Sequence, residues 1–208
     1  MQIFSYRTIQ QPSEGSYKEK GSKFLGFAYP VQAEQDVKQK IAELKKEYFD
    51  ARHHCYAYII GADKMKYRAF DDGEPNHSAG DPILGQIRSK NLTNVLVVVV
   101  RYFGGVKLGV GGLISAYKMA AENALNNSTV IEKDVLKKYF ISYAYTSTPD
   151  VMTLIKEYKL EIMNQSFADE CKLDVNVPLQ FNNEFKEKVL LLQATGVTIS
   201  IQEIIPLS

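Results

Sequence analysis

Cysteine is nearly missing from this 208-residue sequence: Cys55 and Cys171 are the only two, too few for a disulfide framework. Long apolar runs are missing as well. The longest, Val95 to Val100, has the length of a strand and falls far short of the roughly 18 residues that suggest a membrane-spanning helix. The opening residues Met1-Gln2-Ile3-Phe4-Ser5-Tyr6-Arg7 lack a basic segment followed by an apolar one, so no signal peptide is expected. An excess of charge of one sign is also absent: 25 Lys and Arg face 24 Asp and Glu, for a net charge of +1. That excludes a protein that coats nucleic acid by bulk charge and leaves only a local basic face. What is present is ordinary globular material, with 45% hydrophobic and 24% charged residues. The expectation is a cytoplasmic protein with reduced thiols and no membrane contact. At roughly 100–200 residues per domain, it forms one large domain or two small ones.

Periodicity divides the chain. In the second half, the alternation from Leu136 to Thr146 predicts a strand. Thr148-Pro149-Asp150 then opens a helix carrying Val151, Leu154, Ile155 and Tyr158 at helical spacing, with Thr148 as the expected N-cap. Glu161 to Ala168 and Cys171 to Pro178 read as strands joined by a tight turn at Asp169-Glu170. A helix through Phe185, Val189, Leu192 and Ala194 ends at Gly196, and Val197 to Ile205 alternates again. The order β-α-β-β-α-β is that of ferredoxin-like domains. In the first half, Lys23 to Val31 predicts a strand and Ala33 to Tyr48 an amphipathic helix. His53 to Ile60 and Met65 to Phe70 predict a hairpin, and Asp81-Pro82 a helix start. Val95 to Val100 predicts a central strand covered on both faces, and Leu113 to Leu125 an Ala-rich helix. The polar stretch Asn126 to Asp134 reads as a join. The fold class is thus α+β in two domains, residues 1–130 and 135–208.

Four stretches carry residues that packing alone does not call for: Glu19 to Phe24, Ala51 to Tyr58, Arg68 to Gly80, and Arg101 to Leu113. The run from Gly80-Asp81-Pro82-Ile83-Leu84 through Leu92 to Arg101-Tyr102-Phe103-Gly104-Gly105 and Leu108-Gly109 resembles the long signature of the YigZ/IMPACT family. One departure is visible: where that family carries small residues after Gly-Glu-Pro, this chain has Asn76-His77-Ser78. The resemblance implies an N-terminal α+β domain similar to domain IV of elongation factor G, followed by a ferredoxin-like domain. It also implies a role in translation control, since eukaryotic relatives restrain activation of a translation-initiation kinase. It carries over no catalytic residues.

Two constellations then compete. Between Pro82 and Ala121 the chain holds Arg88, Lys90, Arg101, Lys107 and Lys118 and no acidic residue. Gly104, Gly105, Gly109, Gly111 and Gly112 fit neither a Walker A loop nor a dinucleotide fingerprint, yet they lead from a buried strand to a helix N-terminus, where free N–H groups attract anions. This strip, with Arg88, Lys90, Arg101, Lys107 and the backbone at Gly104, Gly105, Gly111 and Gly112, is the candidate phosphate-contacting surface. Tyr102 and Phe103 are its candidate stacking groups. The alternative is a glycine-bearing crossover with a solvated basic face. The second constellation is His53, His54, Asp71, Asp72 and Glu74. A four-residue loop at Gly61 to Lys64 would set Asp71 opposite His54 and Asp72 opposite His53, as a structural clamp that raises the pKa of His54. The competing use of His54, Asp71, Asp72 and Glu74 is a small hydrolase or metal-dependent enzyme, although no zinc-type spacing occurs. The balance favours a translation-associated regulatory protein that binds RNA or the ribosome, or a protein partner in translation control, without catalysis, metal or cofactor.

Overall fold

The computed structural model describes residues 2–168 and 170–205. The chain forms two compact units, Ser5–Lys133 and Met1–Phe4 with Asp134–Ser208.

The first unit is built on five antiparallel strands in the order β2-β3-β6-β4-β5, with β2 at Ser13–Glu19, β3 at Ser22–Pro30, β4 at His53–Ile60, β5 at Lys66–Phe70 and β6 at Val95–Tyr102. Strand side chains alternate between faces, and β6 shows why its sequence is apolar throughout. Val95, Val97 and Val99 join one core with Ile83, Ile87, Tyr117 and Ala120 of the helices α2 (Gly80–Ser89) and α3 (Gly109–Asn126). Leu96, Val98 and Val100 face the opposite core, with Val37 and Leu44 of α1 (Glu34–Glu47). Six residues of this strand, Val95 to Val100, are fully buried, each large aliphatic side chain contributing about 1.5–3 kcal/mol on burial.

The second unit is a four-stranded antiparallel sheet in the order β11-β8-β10-β9, with β8 at Leu136–Tyr143, β9 at Glu161–Phe167, β10 at Cys171–Pro178 and β11 at Ile199–Ile204. Its helices, α4 (Thr148–Glu157) and α5 (Asn182–Ala194), share one core with the sheet through Tyr139, Ile141, Val151, Leu154, Val175, Phe185 and Val189. This is the ferredoxin-like βαββαβ arrangement expected from the pattern.

Some local readings shift. The helix α4 begins at Thr148, one residue early, so Ser147 takes the N-cap position and the Thr148 hydroxyl donates to the Tyr145 carbonyl at 2.6 Å. The helix α3 begins at Gly109, four residues before Leu113, because the low helix propensity of three glycines is outweighed by the helix that follows them. The stretch read as a plain join contains a strand, β7 (Val130–Asp134), that pairs with β1 (Ser5–Ile9) in a two-stranded sheet. Asp169, half of the expected tight turn, lies outside the described residues.

Candidate functional site

The strand β6 ends on two polar-tipped residues that face opposite ways. Tyr102 points to the α1 side, where its hydroxyl donates to Asp50 Oδ1 at 2.7 Å. Arg101 points to the α3 side and is only 6% exposed. Its Nη1 donates to Glu74 Oε1 at 2.5 Å, and the Tyr117 hydroxyl donates to the same oxygen at 2.8 Å. The guanidinium carbon lies 5.4 Å from the Phe24 ring centre and 5.6 Å from that of Phe103, so two aromatic faces flank the cation. Below, Cys55 Sγ lies 2.9 Å from the Asp71 carbonyl oxygen and 3.3 Å from the Tyr117 hydroxyl. Burial pushes both the Cys55 thiol and the Tyr117 phenol well above their ordinary pKa values. Cys55 is therefore an unreactive thiol, and Tyr117 keeps the proton it donates to Glu74.

Above this buried chain lies a cleft of about 470 Å³, lined by Arg52, His53, Glu74, Pro75, Arg101, Phe103, Lys107, Leu108, Gly109, Val110 and Leu113. Three permanent cations face one carboxylate, and that carboxylate already accepts two hydrogen bonds. The N-terminus of α3 enters the wall at Gly109 with no acidic residue in its first turn, so its free N–H groups add positive potential. The loop is held from behind by a backbone-to-backbone contact. The Gly104 N–H donates to Ser22 Oγ at 3.1 Å, and a Cβ on Gly104 would stand 1.9 Å from the Gly21 carbonyl carbon. Only glycine allows that approach.

The structure gathers part of each predicted constellation. From the basic strip it brings Arg101, Phe103 and Lys107 into the cleft, with Gly111 and Gly112 in the first turn of α3 beside it. It leaves Arg88 and Lys90 elsewhere. Lys90 donates to Asn126, the last residue of α3, which is about 25 Å along the helix from Gly109. Arg88 lies over the Tyr67 ring at 4.6 Å. Tyr102 is spent on Asp50, and Gly104 is packed against Gly21. Arg52, which sequence reasoning passed over, lines the cleft because it directly precedes β4, whose first residue, His53, also lines it.

The acidic and histidine cluster is corrected in its pairing. The hairpin pairs Ile60 with Lys66 and Tyr56 with Phe70, leaving a five-residue loop and a register one step from the expected one. Asp71 consequently does not face His54. Its Oδ1 accepts from the N–H groups of Ala79 and Gly80 at 3.0 and 2.8 Å, and its Oδ2 from that of His77 at 2.9 Å, tying the loop to the start of α2. Asp72 takes the other role: its Oδ2 accepts from the His54 N–H at 2.7 Å, and its carbonyl from His53 Nδ1 at 2.9 Å. Of His54, Asp71 and Glu74, the three residues of the competing enzyme site, Glu74 alone lines the cleft. Among the described residues no three His, Cys, Asp or Glu side chains converge in a metal-binding group.

Burial also reverses the expected direction for His54. His54 is 5% exposed with Nε2 unpartnered among the described residues, and desolvation pulls its pKa below the ordinary value. Asp72 and the carbonyls of Tyr48 and Leu44 oppose that pull, and Lys45 adds to it. With the folded value lower than the unfolded one, the unfolded state binds protons first as pH falls. The His54 contribution is full above about pH 6.5 and is lost progressively below it. Urea denaturation of the parent and of His54→Gln from pH 8 to pH 5 is expected to show the parent losing its advantage on the acid side. A parent that gains on acidification relative to the variant would restore the ion-pair reading.

The model of the Impact N-terminal domain matches residues 20–125, and a 185-residue stretch covering 89% of the chain is 31% identical to IMPACT family member YvyE of Bacillus subtilis over 85% of that protein. The chain belongs to the IMPACT family. Similar coverage is found with IMPACT family member YigZ of Escherichia coli, 32% identical over 82% of this chain and 84% of that protein. Protein IMPACT of Mus musculus is 38% identical over 42% of this chain and 29% of its own length. Among solved structures, a crystal structure of a hypothetical protein covers 99% of this chain and 100% of its own, with a TM-score of 0.73 at 28% identity. Every residue lining the cleft of this IMPACT family member, from Arg52 to Leu113, falls inside the matched N-terminal domain.

Proposed function

We propose that this IMPACT family member is a translation-associated regulatory protein that binds RNA, free or within the ribosome, and does so without catalysis. The observation that carries the reading is the cleft: Arg52, Arg101 and Lys107 set against the acid-free N-terminus of α3, with the half-exposed Phe103 ring beside them. Such a combination of cations, free backbone N–H groups and an aromatic face suits phosphate contact and base stacking. The one carboxylate in the cleft is engaged by Arg101 and Tyr117, which leaves it poorly placed to act as a base. A translation setting, a protein partner there and a cytoplasmic location rest on the family resemblance. Among the described residues no helix is long and apolar enough to cross a membrane.

The test is binding of a single-stranded RNA, and co-sedimentation with ribosomes, as a function of salt. Arg52→Ala and Lys107→Ala are each expected to weaken binding and to reduce the salt slope by about one unit. Arg88→Ala and Lys90→Ala, placed away from the cleft, are expected to leave the slope unchanged. An unaltered slope in both cleft variants would overturn this reading.

A further inference from the structure

We infer that the cleft holds one unpaired nucleotide unit, a phosphate at the N-terminus of α3 with its base on Phe103, and so reads single strands or strand ends rather than duplex. The inference rests on the RNA reading of the same cleft and narrows it.

Size is the first argument. A volume of about 470 Å³ lies within the roughly 300–1,000 Å³ of small-ligand pockets. Duplex RNA is instead recognised by shape across two successive minor grooves, which requires an extended surface. Two basic residues near the cleft in sequence, Arg88 and Lys90, do not extend it: Lys90 sits at the far end of α3 and Arg88 lies over Tyr67.

The lining is the second. Phe103 is 50% exposed and turns one side of its ring to the Arg101 guanidinium, leaving an aromatic face for a base. Arg101 is nine-tenths buried, lines the cleft and keeps an Nε hydrogen without a partner among the described residues. Lys107 makes no ion pair among the described residues, so its charge is available to a ligand. Leu108, Val110 and Leu113 complete an apolar wall.

Gly111 supplies the third. It lies in the first turn of α3, has no neighbour within 4 Å of where a Cβ would be, and does not adopt positive φ. Alanine would be the better helix former there, and neither packing nor backbone conformation calls for glycine. Gly111 is not itself among the residues lining the cleft but shares the first turn of α3 with Gly109 and Val110, which are. A helical Cβ tilts toward the helix N-terminus, so alanine there probes how closely an anion on the first-turn N–H groups approaches the backbone.

The experiment uses the full chain and three probes: adenosine 5′-monophosphate, inorganic phosphate, and a short RNA offered with a 5′-phosphate, with a 5′-hydroxyl and as a blunt duplex. Adenosine 5′-monophosphate is expected to bind saturably and more tightly than inorganic phosphate. Phe103→Ala and Lys107→Ala should each weaken it about tenfold. Gly111→Ala should weaken it while leaving or raising the melting temperature, and Arg88→Ala should change nothing. Single strands should compete for the cleft and duplex should not, with preference for the 5′-phosphate marking strand ends over internal nucleotides. Mononucleotide binding without RNA binding would sink the RNA reading and, with it, the inference that the cleft reads single strands. RNA binding that is indifferent to duplex and to Gly111→Ala, or equal affinity for inorganic phosphate and mononucleotide, would overturn the inference and leave the RNA reading standing. Absence of binding to every probe would overturn both.

Discussion

Glu74→Ala is expected to destabilise the first unit by about 3–5 kcal/mol, the usual result of removing one member of a buried ion pair. Arg101 and Glu74 are 7% and 5% exposed at the side chain and 2.5 Å apart, so each loses its main partner in a largely desolvated place when the other is removed. The Tyr117 hydroxyl loses its acceptor in the same variant. Arg101→Met should destabilise as well: methionine fills the slot between Phe24 and Phe103 but leaves the Glu74 carboxylate buried without its cation. Joining Arg101→Met to Glu74→Leu should recover much of the loss, since a well-packed apolar pair often replaces a buried ion pair at little cost. Equilibrium urea unfolding of the two single variants and the double supplies the cycle. Strictly additive losses would show that the two groups are not coupled. The double variant also bears on function: if it folds well yet loses RNA, the pair is kept for the charge that Arg101 presents to the cleft.

Much of this architecture is legible in the amino-acid sequence. The six-residue apolar run at Val95 implied a strand covered on both faces, and α1 lies on one with α2 and α3 on the other. The ferredoxin-like order followed from period switching alone. What was not legible depended on single-residue offsets or on partners distant in sequence. One extra residue in the loop before Lys66 moved the hairpin register by one step, and because strand side chains alternate, that step exchanged the roles of Asp71 and Asp72. The strand β2 escaped notice because its alternating residues are half-exposed, with no fully buried position in Ser13–Glu19, and β1 because its buried residues, Thr8 and Ile9, are adjacent rather than alternating. Arg88 and Arg101 look like members of one strip because charge is counted along the chain. In space, α3 separates Lys90 at its last residue from the cleft at its first. Arg52 carried no signal of its own beyond its place before His53. The direction of the His54 shift also required burial, which composition cannot give.

The loop that carries Phe103 should depend on Gly104 more than on any of its charged residues. A Cβ there would meet the Gly21 carbonyl carbon at 1.9 Å, the Ser22 nitrogen at 2.2 Å and the Gly21 oxygen at 2.3 Å. All three are backbone atoms, so no side chain can rotate away. Gly21 adopts φ of +80° in the turn between β2 and β3, and Ser22 is fully buried while accepting the Gly104 N–H. The turn has no freedom to retreat without breaking that bond and opening the end of the sheet. Gly104→Ala is therefore expected to cost about 3 kcal/mol or more, at the upper end of overpacking effects, and to lower the melting temperature by roughly ten degrees. Gly105→Ala is the control. Gly105 has φ of +87° and open space where a Cβ would go, so alanine there pays only for a left-handed backbone, about 1–2 kcal/mol. Thermal melts of the two variants separate crowding from backbone strain at adjacent positions. If Gly104→Ala proves no worse than Gly105→Ala, the contact behind the loop is soft. In that case Phe103 and Lys107 would not be held in a fixed position for a ligand.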